Sequence, residues 1–173
     1  MKLDELLVFA HEIFEKVKAP HAVIGAFALS AYGYQRATND IDFLVDGDFR
    51  SLVEVEFTKA GFTTFHSTDE VLQLQGPGII DLIFAKRPLS KAMLSRKLAT
   101  KILNVPVADA EDIIGLKIQA LANNKSRKFK DLGDIESICG IQKSLDWERV
   151  KKYADLFDCW DLIKEIQKNA QND

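Results

Sequence analysis

Three acidic residues interrupt apolar, strand-like stretches: Asp40 and Asp42 in Asp40-Ile-Asp-Phe-Leu-Val45, and Asp81 in Ile79-Ile-Asp-Leu-Ile-Phe84. A strand turns its side chains alternately to its two faces, so Asp40 and Asp42 share a face. Two neighbouring carboxylates repel one another unless a cation lies between them. A lone carboxylate in a buried strand likewise needs a partner or a metal. If the strand of Asp81 lies beside that of Asp40 and Asp42, three oxygen donors meet at one edge of a sheet. Such a set suits one or two Mg²⁺ ions, hard cations that also take phosphate oxygens. In two-metal phosphoryl transfer the ions sit about 3.5–4 Å apart and clamp the attacking and leaving oxygens.

Upstream, Gly25-Ala26 closes the apolar run His21-Ala-Val-Ile24, with thirteen residues between it and Asp40. Gly25 lets the backbone approach a ligand closely, and free amides at the start of the following helix favour an oxyanion such as a terminal phosphate. Plainer roles stand beside these. Asp40 and Asp42 could be turn or capping acids, and Asp81 could pair with an arginine such as Arg36. Lys117, among Ile113, Ile114, Leu116, Ile118 and Leu121, could snorkel from an amphipathic helix. Asp131 and Asp134 could support the start of a helix over Leu132–Cys139. Asp46 and Asp48 flank Gly47 in a turn that explains them. His11, His21 and His66 show no ligand spacing and read as surface or satisfied core histidines.

The elements that must position these residues follow from apolar periodicity. Leu3, Leu6, Leu7, Ala10, Ile13, Phe14 and Val17 have helical spacing, with Asp4 and Glu5 in the first turn and Pro20 beyond the end. The pattern then predicts a strand over His21–Ile24, a helix over Ala26–Tyr32 ending at Gly33, a strand over Ile41–Val45 and a helix over Phe49–Ala60. Strands are expected at Phe62–His66, Val71–Gln75 and Ile79–Ala85, with Gly76-Pro77-Gly78 turning the chain between the last two. Lys101–Val107 reads as one more short strand. Beyond it the period is helical over Ala110–Ala122, Lys128–Cys139 and Trp147–Lys168, with a break near Phe157–Asp158. Asp109 is the expected N-cap of the first, with Asp112 at the third position. The order predicts an α+β fold, a small mixed β-sheet flanked by helices with a helical C-terminal half. Residues 1–108 are expected to form the core, and 109–173 a helical segment packed on it in a single compact unit.

The 173 residues are 47% apolar and 28% charged, which argues against disorder. Apolar runs such as Ala22–Ala31 are broken well short of membrane-spanning length, and acids occupy the start of the chain where a signal peptide needs an apolar core. Cys139 and Cys159 have no metal spacing. The expectation is a cytoplasmic protein with no membrane partner. The net charge of −3 averages opposed segments: residues 82–130 hold eleven basic and three acidic side chains. A basic middle suits an anionic ligand, although a solvated helix face would look the same.

The run His21-Ala-Val-Ile-Gly-Ala-Phe-Ala-Leu-Ser-Ala-Tyr-Gly-Tyr-Gln-Arg-Ala-Thr-Asn-Asp-Ile-Asp-Phe-Leu-Val45 resembles the opening of the nucleotidyltransferase fold of the polymerase-β superfamily. That pattern is a strand, Gly-Gly or Gly-Ser, a helix, an Arg-x-Thr-x-Asp-hydrophobic-Asp segment and a later third carboxylate. Val107–Leu121, followed by Arg127-Lys-Phe-Lys-Asp-Leu-Gly-Asp-Ile135, resembles the helical segment of small AbiEii-type nucleotidyltransferases. The resemblance implies Asp40, Asp42 and Asp81 as catalytic metal ligands for Mg²⁺, with Asp81 also able to deprotonate an attacking hydroxyl. It implies Gly25 and the amide of Ala26 at the β- and γ-phosphates of an NTP such as ATP, and Arg36 and Lys117 near the triphosphate. Lys130, Asp131 and Asp134 would lie near the nucleotide or acceptor. Many members carry Ser where this chain has Ala26; Ser30, a helical turn later, could partly replace that hydroxyl. The implied activity is transfer of a nucleoside monophosphate to an RNA (for instance tRNA), a protein or a small molecule. A toxin neutralised by an antitoxin partner is one such role. The alternatives are a non-catalytic module binding nucleotide, nucleic acid or a partner protein, and a structural subunit pairing through its C-terminal helices.

Overall fold

The computed structural model describes residues 1–96, 98–124, 126 and 128–172. Arg127, which opens the second resembling segment, lies outside the described residues. The chain divides into two units: Met1–Ala31 with Gln35–Ala108, and Tyr32–Tyr34 with Asp109–Asp173.

The first unit begins with α1 (Leu3–Val17), which buries Leu6, Leu7, Ala10, Ile13 and Phe14 along one stripe. Lys18 ends it in a left-handed conformation, at φ 59°. Then come β1 (His21–Ile24), the short α2 (Gly25–Leu29) with a single 3₁₀ turn after it, β2 (Asp40–Asp46) and α3 (Arg50–Lys59). Strands β3 (Thr63–Ser67), β4 (Val71–Gln75) and β5 (Ile79–Ala85) follow. The five strands form one mixed sheet in the order β1-β2-β5-β4-β3, in which β2 and β5 are parallel and the other pairs antiparallel. Alternation decides the faces. Ile41, Phe43, Ile80, Leu82, Phe84, Leu72 and Leu74 are all buried. Phe43 meets Phe14 of α1 at a centroid separation of 5.0 Å, and Phe14 meets Phe57 of α3 at 5.6 Å. Edge-to-face aromatic contacts of this kind add to the area they bury.

Two elements differ from the expectation. Pro88–Ser95 forms α4, with proline at the start of its first turn, packed on β2 and β5. Its apolar residues Leu89, Ala92, Met93 and Leu94 span little more than one turn, and only Met93 is buried, so the segment is too short to stand out by periodicity. Lys101–Val107 is a small hairpin, β6 (Lys101–Ile102) and β7 (Val105–Pro106), because Leu103 and Asn104 turn at positive φ.

The second unit contains α5 (Ala110–Asn123), α6 (Lys128–Ile141), α7 (Trp147–Asp155) and α8 (Trp160–Asn172). Packing is of α5 on α6 and α7, and of α8 on α6 and α7. Gly115 lets α5 meet α7 closely: a Cβ there would lie 2.6 Å from the Tyr153 ring. Asp109 precedes α5, but its side chain makes no capping bond. Arg149 takes it instead, at 2.9 Å, and also binds Glu111 at 2.5 Å. Asp112 accepts the Tyr153 hydroxyl. The acids expected to cap α5 therefore tie it to α7. Among the described residues no helix is long and apolar enough to cross a membrane.

Candidate active site

The register of the sheet aligns the acids. Asp42 on β2 lies opposite Asp81 on β5, and Asp81 lies opposite Gln73 on β4. Directly opposed residues share a face, so a polar row crosses three strands on the side away from Ile41, Phe43, Ile80 and Leu82. Asp40 stands two residues before Asp42 on that same face. One carboxylate oxygen from each of Asp40, Asp42 and Asp81 lies within 4.8 Å of the others, and all three side chains are half-buried. Three formal negative charges at this spacing are a demand for positive charge. The all-oxygen donor set fits a hard divalent cation such as Mg²⁺.

Gln73 donates its side-chain amide to Asp81 Oδ2 at 2.7 Å, and the Thr38 hydroxyl donates to Asp40 Oδ1. Gln73 is a residue that sequence reasoning missed. Its signal was an alternating polar position in β4, meaningful only once the register with β5 is known. Thr38 stood in the resembling motif without an assigned role.

Gly25 makes room for a side chain of the cluster. It follows β1, whose last residue, Ile24, is registered opposite Asp42, and it has φ +68°. A Cβ at Gly25 would fall 1.9 Å from Asp42 Oδ2 and 2.4 Å from Asp42 Cγ. Glycine is therefore demanded both by the left-handed backbone and by the carboxylate itself. Ala26 is buried in the first turn of α2. Ser30 donates its hydroxyl to the Phe27 carbonyl at 2.7 Å, so its proton is directed back onto the chain. Arg36 is half-buried and donates to the Ala37 carbonyl at 3.3 Å.

The remaining expected residues gather in the second unit. Lys117 does not snorkel to solvent. It is buried, with Nζ 2.6 Å from Asp134 and 3.6 Å from Asp131. Both acids are buried within α6, which starts at Lys128, and so bind the lysine across the helix pair. Lys130 is exposed.

This sheet, with carboxylates on β2 and β5 and a glycine turn after β1, is a nucleotidyltransferase fold. Comparison with protein-family models and with curated proteins finds no match. Solved structures do match. The solution structure of the antibiotic-resistance factor ANT(2″)-Ia has a TM-score of 0.69 at 16% identity, over 95% of this chain and 96% of that one. The crystal structure of ANT(2″)-Ia in complex with adenylyl-2″-tobramycin gives 0.68 at 18%, over 90% and 96%. An antigenic nucleotidyltransferase-like protein from Paracoccidioides brasiliensis gives 0.56 at 14%, over 96% and 92%. At such identities the likeness establishes the fold, and it does not single out the AbiEii-type branch.

Proposed function

We propose that this chain is a Mg²⁺-dependent nucleotidyltransferase that moves a nucleoside monophosphate from an NTP to a hydroxyl of a small molecule, releasing pyrophosphate. The observation that carries the proposal is the convergence of Asp40, Asp42 and Asp81 within 4.8 Å on one sheet face. The small-molecule acceptor is supported by a likeness that runs nearly the full length of both chains to a structure holding an adenylylated tobramycin.

Asp40, Asp42 and Asp81 would hold the metal, which when bound supplies positive charge to the phosphate oxygens and orients them. The chain's own groups do the rest. The amides of Gly25 and Ala26 would hold the β- and γ-phosphates, with Ser30 and Arg36 beside them. Asp81, oriented by Gln73, would accept the proton of the acceptor hydroxyl. The acceptor oxygen bonds to the α-phosphorus as the bond to the bridging oxygen breaks, and the electron pair leaves with pyrophosphate. Positioning and charge carry most of such catalysis.

The test is incubation of the protein with each α-labelled NTP, ATP first, and Mg²⁺, against three acceptor pools: aminoglycosides, total RNA including tRNA, and cell protein. The proposal expects label in the small-molecule pool. Label in RNA or protein reassigns the acceptor and opens the toxin role, whereas NTP binding with no transfer to any pool indicates the non-catalytic module. For Lys117, Lys130, Asp131 and Asp134 the same assay separates roles. A nucleotide contact raises KM on substitution, and a structural role lowers the melting temperature instead.

A further inference from the structure

A second set of ligating side chains lies at the start of β1. His11 and Glu15 are four residues apart on α1, so they share a helix face. His21 opens β1 directly after the Ala19-Pro20 turn. One ligand atom from each of His11, Glu15 and His21 lies within 4.8 Å of the others. No sequence spacing of histidines announces this set, because the chain reversal at Pro20 brings His21 back beside α1.

The protonation pattern is readable. His21 Nδ1 lies 2.8 Å from the Ala19 carbonyl, which can only accept, so Nδ1 carries the proton. Its Nε2 therefore has a lone pair, and that atom faces His11 Nδ1 at 2.7 Å. Metal-bound histidines are commonly oriented in this way, with the far ring nitrogen donating to a carbonyl. The ring is further fixed by Phe14, with a centroid separation of 4.7 Å. His21 is 6% exposed, whereas His11 is half-buried and Glu15 exposed. A cation thus has an entry path. Glu15 and His21 also line a cleft of about 450 Å³ with Lys18, Arg96 and Leu98, leaving room for a further ligand from solvent.

We propose that His21 Nε2, His11 Nδ1 and a Glu15 carboxylate oxygen bind one Zn²⁺, with a water or small anion completing a tetrahedron. Two imidazoles and a carboxylate are a donor set that zinc favours and magnesium does not. Tetrahedral ligation places two nitrogens about 3.3 Å apart, so the His11 ring must move out by roughly 0.6 Å from its hydrogen-bonded position. It must also pass its proton from Nδ1 to Nε2 through solvent. A partly exposed ring on a helix surface can do both. Bound metal would clip α1 to the first strand of the sheet, and it would stabilise the fold by mass action.

The test uses Co²⁺ as a spectroscopic substitute for zinc, on the untagged, EDTA-treated protein. The proposal expects one equivalent to give a tetrahedral visible d–d absorption, displaced by Zn²⁺, and Zn²⁺ to raise the melting temperature. His11→Ala and Glu15→Gln change partly or fully exposed positions and should fold. The first should abolish the absorption and the thermal shift; the second should weaken Co²⁺ affinity by at least tenfold. Asp42→Asn should retain both, which separates this site from the carboxylate cluster. Absence of the absorption in the unmodified chain would overturn the proposal. So would its persistence in His11→Ala, or a near-ultraviolet thiolate band placing the metal on a cysteine.

Discussion

Asp42 and Gly25 constrain each other directly. Gly25→Ala places a methyl where Asp42 Oδ2 now lies, and it forces a non-glycine residue to positive φ at a cost of about 1–2 kcal/mol. The expected result is a lowered melting temperature together with loss of nucleotidyl transfer, since the carboxylate must swing away from Asp81. Gln73→Ala tests the orientation of Asp81 alone. Removing a partner of a metal-ligating carboxylate lowers metal affinity or activity by roughly 10–100-fold, so the variant should need more Mg²⁺ for half-maximal activity while its stability changes little. His21 makes stability depend on pH. Burial holds its pKa down to about 4 against an ordinary 6.5, despite the Ala19 carbonyl and Glu15 pulling it upward. The unfolded ring thus takes a proton before the folded one does. Stability contributed by the neutral ring is complete above pH 6.5 and falls as pH drops toward 4, by about 3 kcal/mol in all. Urea unfolding of metal-free protein at pH 7 and pH 4.5 should show that loss relative to a His21→Phe chain.

At the scale of elements, the strands were legible and their consequences were not. Val71–Gln75 and Ile79–Ala85 follow from alternation and the Gly76-Pro77-Gly78 turn, with the bounds that the structure has. The carboxylates on β2 and β5 were likewise visible as acids in apolar runs. Gln73 was not, because its role depends on register, which is a pairing between segments and leaves no mark on either one. The same holds for His21 against His11. Where local rules compete with tertiary partners, the partners win: Asp109 forgoes capping α5 for Arg149, and Lys117 forgoes solvent for Asp134. That last cluster gives a prediction for the helical unit. Lys117→Met removes a cation from two buried acids, and breaking a buried ion pair from one side costs about 3–5 kcal/mol. Circular dichroism melting should show the loss, and Lys117→Met combined with Asp131→Asn and Asp134→Asn should recover much of it.

For the molecule as a whole, the basic middle of the sequence turns out to be partly paired with acids of the same chain. Arg87 pairs with Glu70 at 2.9 Å, Lys91 with Asp48 at 2.6 Å, and Lys117 with Asp134 at 2.6 Å. Charge counted along the chain therefore overstates what is left to face a triphosphate. The three carboxylates are what the candidate site offers for chemistry. Placed close together, they are a stability cost that the fold retains. Asp42→Asn relieves that repulsion, so in metal-free buffer its melting temperature should equal or exceed that of the unmodified chain. The decisive measurement is pyrophosphate release and label transfer from an α-labelled NTP with Mg²⁺, comparing the unmodified chain, Asp42→Asn and an EDTA control. Transfer is expected from the unmodified chain alone, with at least a roughly 100-fold loss in the folded variant. Equal transfer by the unmodified chain and Asp42→Asn would contradict the role proposed for Asp42.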